Sequence, residues 1–291
     1  MKTVSLVLGS GGARGLAHIG VIRWLEEHGY AIKSIAGCSI GSLIGGVYAA
    51  GKMDELEEWM RGISKLDIAD LLDISWGSGG FFKGDKIIQT LIKLLGDVQI
   101  EDLAIPYTAV AADIVTEKEV WINSGSLFDA IRASVSLPLF FTPVDYKGTK
   151  LVDGGVLNPV PIAPTFKDET DLTIAVNLGG EFSNDKEMLK NLSARKEVEV
   201  PSFQQSLMRF FSTKQKTSNE EKNQNWGMYD VADRAFDAMQ STIARQKIAA
   251  YPPDVEIVIA RNACGTLEFD KAAEVIQLGY KKAELAFKDK L

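Results

Sequence analysis

The sequence predicts an α/β fold of three layers, in which a mainly parallel central sheet carries helices on both faces. Residues 3–8 are aliphatic and β-branched, as in a buried strand, and residues 13–28 continue with helical spacing. Residues 34–36 and 40–50 then repeat the order of a strand followed by a helix. Two successive strand–helix units are typical of parallel strands whose crossover helices cover the sheet.

Later segments supply further elements. Helices are predicted at residues 54–61, 85–95, 127–134 and 231–249, with a closing helix from Asp270 onward. Strands are predicted at residues 107–112, 120–122, 173–178 and 255–259. A hairpin is predicted to join residues 142–146 to residues 150–152 through a turn at Lys147-Gly148.

One domain accommodates these elements. Residues 4–180 form the predicted core, and residues 230–291 complete the same domain. Between them, residues 181–229 are polar and charged and lack a strand pattern, so we interpret them as a partly mobile insertion. Within it, residues 201–216 combine apolar side chains at helical spacing with a local excess of basic ones. The favoured interpretation is a helix packed on the core, and the alternative is a lid that docks on anionic lipid.

Composition excludes several classes of protein. Of 291 residues, 46% are hydrophobic and 24% are charged, which is ordinary for a globular protein with a substantial core. The net charge of −7 and the lack of a long basic run disfavour a nucleic-acid partner. Two cysteines, Cys38 and Cys264, are too few for a disulfide framework and fit a reducing compartment. Without a recognisable secretory signal or spanning helix, we expect a cytoplasmic protein whose membrane contact, where it occurs, is peripheral.

A cluster of four glycines lies in residues 9–15, where the first strand gives way to the first helix. A dinucleotide-binding motif would need its third glycine where this chain has Arg14, and a P-loop would need Lys-Ser or Lys-Thr after the glycines. A nucleotide site is therefore disfavoured. The N–H groups of Gly11, Gly12 and Ala13, at a helix N-terminus beside the charge of Arg14, are instead candidates for holding an oxyanion.

The second strand ends in a pattern typical of a nucleophile elbow. Residues 37–41 match G-x-S-x-G, which exposes Ser39 on a sharp turn and crowds the backbone at Gly37 and Gly41. Cys38 should point away from the apex, so we interpret it as a buried structural cysteine. Because the carboxyl ends of parallel strands share one edge of the sheet, Ser39 should meet the glycine cluster. A hydroxyl beside N–H donors is the arrangement that acyl transfer requires.

A histidine base for this serine is not evident. The chain has only His18 and His28, both in the first helix, whereas an α/β-hydrolase triad places its histidine after the acid. A carboxylate is the remaining base, and Asp113 and Asp153 each follow a predicted strand. The glycine pair behind Asp153 favours that residue, but the residues alone leave Asp113 open. Either aspartate could instead cap backbone N–H groups in a turn.

Four blocks of sequence resemble one known family. They are GSGGARGLAHIG at 9–20, GCSIG at 37–41, IRASVSLPLFFTPV at 131–144 and DGGVLNPVP at 153–161. In this order they resemble the patatin-like phospholipases, particularly compact bacterial members related to the catalytic domain of neuropathy target esterase. The resemblance covers most of residues 4–180 and continues after Val231.

The resemblance implies a patatin-like fold and a serine esterase that hydrolyses phospholipids, lysophospholipids or other fatty acyl esters without a cofactor or metal. It implies a Ser–Asp dyad of Ser39 as nucleophile and Asp153 as base, with Gly154 and Gly155 in the acid's turn. It assigns the oxyanion hole to Gly11, Gly12, Ala13 and Arg14, with Arg14 steadying the loop or facing a lipid phosphate. From their apolar character alone, we interpret residues 137–143 either as a lining of the acyl pocket or as a core segment. The alternative function is a non-catalytic lipid-binding or regulatory protein with the same fold.

Overall fold

A mixed sheet forms the middle layer of the protein. The computed structural model describes residues 1–71, 84–138, 140–194 and 228–288. Its strands are β1 (Lys2–Leu8), β2 (Tyr30–Cys38), β3 (Tyr107–Asp113), β4 (Lys118–Ile122), β5 (Val144–Tyr146), β6 (Thr149–Asp153), β7 (Leu172–Gly180) and β8 (Val255–Ala260). Their order is β5-β6-β3-β2-β1-β7-β8, and β4 also pairs with β3. Strands β3, β2, β1, β7 and β8 run parallel, which confirms the mainly parallel sheet that the sequence predicts.

Helices cover both faces of the sheet and give the predicted three-layer α/β/α architecture. They are α1 (Ala17–Glu27), α2 (Ile40–Ala49), α3 (Met53–Gly62), α4 (Lys65–Leu71), α5 (Asp85–Leu95), α6 (Leu127–Ser134), α7 (Asp185–Ala194), α8 (Met228–Ala250) and α9 (Ala272–Phe287). A short 3-10 helix at Gly12–Leu16 precedes α1. In the described part of the chain, none of the helices is long and apolar enough to cross a bilayer.

Most predicted elements are present, with three differences. β2 begins at Tyr30 instead of at residue 34, because residues 30–32 also pair with β1, ahead of a register shift between Val4 and Ser5. Helices α4 and α7 were not predicted, and α7 occupies the start of the segment interpreted as an insertion. The predicted helix or lid at residues 201–216 lies outside the described residues and stays a prediction.

The pairing of β3 brings the ends of β2 and β6 together. One edge of β3 pairs with β4 through residues 109–113. The other edge pairs first with β2, as far as Cys38 opposite Val110, and then with β6, where Asp153 lies opposite Ala111. β6 therefore takes over the edge of β3 at the point where β2 turns away. As a result, the residue that follows β2 and the last residue of β6 are neighbours in space.

Candidate active site

Ser39 occupies the sharp turn between β2 and α2. Its backbone has φ 56° and ψ −125°, a conformation that side chains rarely adopt and that costs about 1–3 kcal/mol. The flanking glycines are needed because a Cβ at Gly37 would lie 2.5 Å from the Gly41 carbonyl oxygen. The Ser39 N–H donates to Ser134 Oγ at 2.9 Å, and that hydroxyl donates to the Val110 carbonyl at 2.6 Å. A buried serine on α6 therefore stabilises the elbow through a hydrogen bond to its backbone.

The hydroxyl of Ser39 bonds directly to a buried carboxylate. Ser39 Oγ donates to Asp153 Oδ2 at 2.5 Å, and Asp153 is fully buried. The other oxygen, Oδ1, accepts the Gly155 N–H at 2.7 Å and a weak contact from Cys38 Sγ at 3.9 Å. The backbone N–H of Asp153 donates to the Ser136 carbonyl at 2.9 Å. These contacts fix the carboxylate with one oxygen facing the serine.

The environment of Asp153 makes it a stronger base than an ordinary aspartate. Burial raises its pKa from 3.8 to about 6. The hydrogen bonds from Ser39, Gly155 and Cys38 act in the opposite direction, because they stabilise the charged form. Near neutral pH the carboxylate can therefore be ionised and still have a useful affinity for a proton. Cys38 stays a thiol, since burial raises its pKa well above the usual value.

Asp113, the other aspartate that the sequence offers as a candidate base, stabilises a turn. Its Oδ1 accepts the N–H groups of Val115 at 2.9 Å and Thr116 at 3.2 Å, and its Oδ2 accepts the Thr116 hydroxyl at 2.6 Å. The bond from the Thr116 hydroxyl lowers the pKa of this carboxyl. Asp113 therefore caps the β3–β4 connection, whereas Asp153 contacts Ser39.

Neither histidine contacts the serine. His18 is fully buried, its Nε2 lies 2.9 Å from the Gly9 carbonyl oxygen, and burial lowers its pKa to about 4. His28 Nδ1 lies 2.8 Å from the Trp24 carbonyl oxygen, and its ring stacks on that indole. Both imidazoles thus serve local packing and backbone bonding.

The glycine cluster forms a loop, residues 9–15, that passes beside the serine elbow. A Cβ at Gly41 would lie 2.1 Å from the Leu8 carbonyl oxygen and 2.9 Å from that of Gly9. Of the predicted oxyanion donors, the Ala13 N–H already donates to the Thr266 carbonyl at 2.8 Å. Ala13 is therefore not a free donor, which corrects that part of the prediction. Within the described residues, the N–H groups of Gly11 and Gly12 make no hydrogen bond to protein.

The Arg14 side chain turns back under this loop and is almost fully buried. Its Nε donates to the Gly11 carbonyl at 3.0 Å, and its Nη1 donates to the Arg261 carbonyl at 2.8 Å. The remaining donors reach Asp237 on α8, at 2.8 Å from Nη2 and 3.2 Å from Nη1. Of the two roles that the resemblance implies for Arg14, these contacts match the steadying of the loop.

A largely apolar cavity opens beside Ser39 and the glycine loop. Helices α2 to α6 supply most of its apolar lining residues, and Leu137 and Phe141 add to them from the segment 137–143. Gln240, Asp237 and Thr266 join the loop at its polar end. The site thus places Ser39, Gly11 and Gly12 at one end of a hydrophobic cavity, with the buried Asp153 carboxylate bonded to the Ser39 hydroxyl. No cluster of histidine, cysteine, aspartate or glutamate that could hold a metal occurs among the described residues.

Sequence reasoning missed three residues of this site. Ser134 lies inside the block that spans residues 131–144, so the block marked its neighbourhood but not its role. Asp237 and Gln240 carry no recognisable motif. Because 223 residues separate Arg14 from Asp237, only the folded structure brings them together.

The fold and the site together define a class of protein. A serine on a strained elbow, bonded to a buried carboxylate and facing an apolar cavity, is the architecture of a hydrolase for apolar esters. The comparisons with known proteins narrow this class. The model of the family described as patatin-like phospholipase matches residues 6–166, and the chain belongs to that family.

Relatives agree with this assignment, and a solved structure shares the fold. An uncharacterized NTE family protein of Mycobacterium tuberculosis is 37% identical over 95% of this chain and 89% of its own length. The human patatin-like phospholipase domain-containing protein 6 is 34% identical over 63% of this chain but only 14% of its own length. The crystal structure of VipD from Legionella pneumophila has a TM-score of 0.57 at 16% identity, covering 99% of this chain and 67% of that one, and shows the fold alone. Family membership indicates lipid hydrolysis in general terms.

Proposed function

We propose that this protein hydrolyses fatty acyl esters of phospholipids or lysophospholipids through an acyl-enzyme on Ser39, with Asp153 as general base. The observation that carries this proposal is the 2.5 Å hydrogen bond from Ser39 Oγ to Asp153 Oδ2. A carboxylate whose pKa burial raises to about 6 can accept the hydroxyl proton during attack. No other ionisable side chain of the described residues bonds to the Ser39 hydroxyl.

Acylation follows from this geometry. Ser39 Oγ bonds to the acyl carbonyl carbon as Asp153 takes the hydroxyl proton, and the carbonyl oxygen becomes an oxyanion. The N–H groups of Gly11 and Gly12 stabilise that oxygen, since they have no hydrogen-bond partner among the described residues. Collapse of the intermediate breaks the bond to the leaving alcohol, which takes the proton from Asp153, and the acyl group stays on Ser39.

Deacylation repeats the sequence with water. Asp153 accepts a proton from water as the water oxygen bonds to the acyl carbon. The same two N–H groups then hold the second oxyanion. The bond to Ser39 Oγ then breaks, the serine recovers its proton and the fatty acid leaves. The apolar cavity beside Ser39 supports an alkyl chain as the acyl part of the substrate, because its walls come from hydrophobic helix faces.

Hydrolysis assays with p-nitrophenyl acyl esters and lysophosphatidylcholine test this proposal. We expect Ser39→Ala and Asp153→Asn each to lower kcat by at least about 10³-fold, by analogy with other serine hydrolases. Asp113→Asn is the matched control, because it removes the other strand-end carboxylate, and it should keep near wild-type kcat. A fluorophosphonate should label Ser39 in the wild type, as read by peptide mass spectrometry.

Two results would contradict the proposal. One is Ser39→Ala activity equal to that of the wild type, which would remove the nucleophile assignment. The other is a wild type that hydrolyses no ester of any chain length but binds fatty acid, which would support a non-catalytic lipid-binding protein instead.

A further inference from the structure

One face of α8 contacts both loops that carry the proposed catalytic groups. Asp237, Gln240, Ala244 and Lys247 are spaced by three, four and three residues, so they share one side of the helix. Asp237 bonds to Arg14, and Gln240 Nε2 donates to Ser10 Oγ at 3.2 Å. All four positions lie beyond residues 6–166, the part of the chain that the family model matches.

The same face reaches the turn behind Asp153. Lys247 Nζ donates to Glu119 Oε1 at 2.6 Å, and Asn158 Nδ2 donates to the other oxygen of that carboxylate at 2.9 Å. The Asn158 N–H in turn donates to the Gly154 carbonyl at 2.8 Å. α8 is therefore linked by hydrogen bonds to the glycine loop and, through Glu119 and Asn158, to the acid's turn.

The bond from Arg14 to the glycine loop has a direct consequence for the oxyanion. The peptide unit between Gly11 and Gly12 is planar and trans, so its C=O and N–H point in opposite directions. Arg14 Nε holds the Gly11 carbonyl at 3.0 Å. Fixing that carbonyl fixes the direction of the Gly12 N–H, one of the two proposed oxyanion donors.

Arg14 depends on Asp237 for its own position. Its guanidinium is 3% exposed, and a buried cation without a partner is strongly unfavourable. Asp237 accepts from both terminal nitrogens, which sets the plane of the guanidinium and thereby the direction of Nε. The other acceptor of the terminal nitrogens, the Arg261 carbonyl, carries no charge.

We propose that Asp237 is a positioning residue for the oxyanion hole: through Arg14 it holds the Gly11–Gly12 peptide so that the Gly12 N–H faces the developing oxyanion. This inference rests on the proposed function, and it assigns a catalytic consequence to a helix that contributes no reacting group. It predicts that a change at Asp237 affects the transition state more than the binding of substrate.

The experiment compares Asp237→Asn with Asp237→Glu and with Arg245→Gln. Arg245 is exposed on α8 and bonds within the helix to Thr242, so its variant controls for the loss of a charge. For Asp237→Asn we expect kcat to fall about 10- to 100-fold with KM changed less than about 3-fold. Asp237→Glu should recover part of this loss, and Arg245→Gln should behave as the wild type.

Two inhibitors distinguish a loss of oxyanion positioning from a general disruption of the active site. A long-chain trifluoromethyl ketone adds to Ser39 and forms an oxyanion, whereas the corresponding secondary alcohol binds without reacting. In Asp237→Asn the inhibition constant of the ketone should rise by the same factor by which kcat falls. The inhibition constant of the alcohol should not change. Arg14→Lys should reproduce the loss, because lysine keeps the charge but lacks the fork that reaches Gly11 and Asp237 together. It also serves as the second variant if Asp237→Asn does not fold.

Hydrogen exchange of residues 9–15 supplies a readout that does not depend on catalysis. In Asp237→Asn the backbone amide hydrogens of this loop should exchange faster than in the wild type. In Arg245→Gln their exchange rate should not change. Unchanged kcat and unchanged exchange in Asp237→Asn would overturn the inference, as would a loss of kcat without weaker ketone inhibition. If either of these outcomes occurs while the wild type is active and Ser39→Ala is inactive, the inference alone fails and the proposed function stands. If the wild type is inactive, the proposed function fails, and the exchange result alone decides the positional claim.

Discussion

Asp153 combines two properties that oppose each other at the level of a single residue. Full burial disfavours its charged form, and the proposed chemistry needs that form to accept a proton. The hydrogen bonds from Ser39 and Gly155 offset part of the cost of burial without removing it. The same carboxylate should therefore control both the pH dependence of activity and part of the pH dependence of stability.

The activity should rise with pH through about 6. Only ionised Asp153 can accept the Ser39 proton, and burial places its pKa at about 6. We expect kcat/KM for a p-nitrophenyl ester to increase about tenfold per pH unit well below 6 and to level off above 7. The Asp113→Asn variant should give the same profile. A profile that is flat between pH 4.5 and 8 would contradict the assignment of Asp153 as the base.

Asp153→Asn should become more stable relative to the wild type as pH rises from 4 to 6. The folded pKa of about 6 lies above the unfolded value of 3.8, so the wild type has its full stability from this group below pH 3.8 and loses it as pH rises to 6. The loss is on the order of 3 kcal/mol above pH 6. The advantage of the variant should grow between pH 4 and 6 and stay constant above. Urea unfolding at pH 4, 5, 6 and 8 measures it, and a constant difference across this range would contradict the prediction.

Sequence alone could place Ser39 on the elbow but could not choose which aspartate contacts it without the family resemblance. The elbow is a local pattern, since its glycines and its flanking strand and helix lie within a few residues. The choice between Asp113 and Asp153 depends on β6 replacing β2 along one edge of β3, which is a matter of long-range register. Ala13 was assigned as a donor because the sequence does not reveal the distant Thr266 carbonyl that it meets.

At the level of elements, α1 and α9 pack so closely that side chains are excluded where they cross. A Cβ at Gly20 would lie 1.9 Å from the Ile276 carbonyl oxygen, and a Cβ at Gly279 would lie 2.0 Å from that of Ala17. Each helix thus offers a glycine to the backbone of the other. The sequence predicted both helices, but it did not show that they touch, since they lie at opposite ends of the chain.

Gly20→Ala should therefore destabilise the protein by several kcal/mol, because the methyl group would meet backbone atoms that can only move with the whole helix. Gly62→Ala is the matched control: it adds the same group to the last residue of α3, where no atom lies within 4 Å. That variant should be neutral or more stable by about 0.4–1 kcal/mol. Thermal and urea unfolding of both variants measure the difference. Equal stability of the two variants would contradict the close crossing of α1 and α9.

At the scale of the whole molecule, the sheet and the helices contribute different parts of the site. The carboxyl ends of the parallel strands β1 and β2 carry the glycine loop and Ser39, and the last residue of the antiparallel strand β6 brings Asp153 to Ser39. Helices α2 to α6 supply most of the apolar lining residues of the cavity beside Ser39, and α8 bonds to the glycine loop and, through Glu119, towards the acid's turn. Residues 6–166 therefore hold the proposed reacting groups, and the later part of the chain holds them in place.

The cavity wall should set the length of the acyl chain that the enzyme accepts. Val135, at the end of α6, is half-buried and lines the cavity, so Val135→Phe adds bulk to the cavity wall. Each methylene that no longer fits loses about 0.8 kcal/mol of burial, or about fourfold in kcat/KM. We expect kcat/KM for C12 to C16 p-nitrophenyl esters to fall about 10-fold or more and that for the C4 ester to change less than about 2-fold. Val115→Phe adds the same bulk at a 79% exposed position outside the cavity and should leave the whole chain-length profile unchanged. A parallel loss for all chain lengths in Val135→Phe would mean that the residue affects the site's geometry, and an unchanged profile would mean that the acyl chain lies elsewhere.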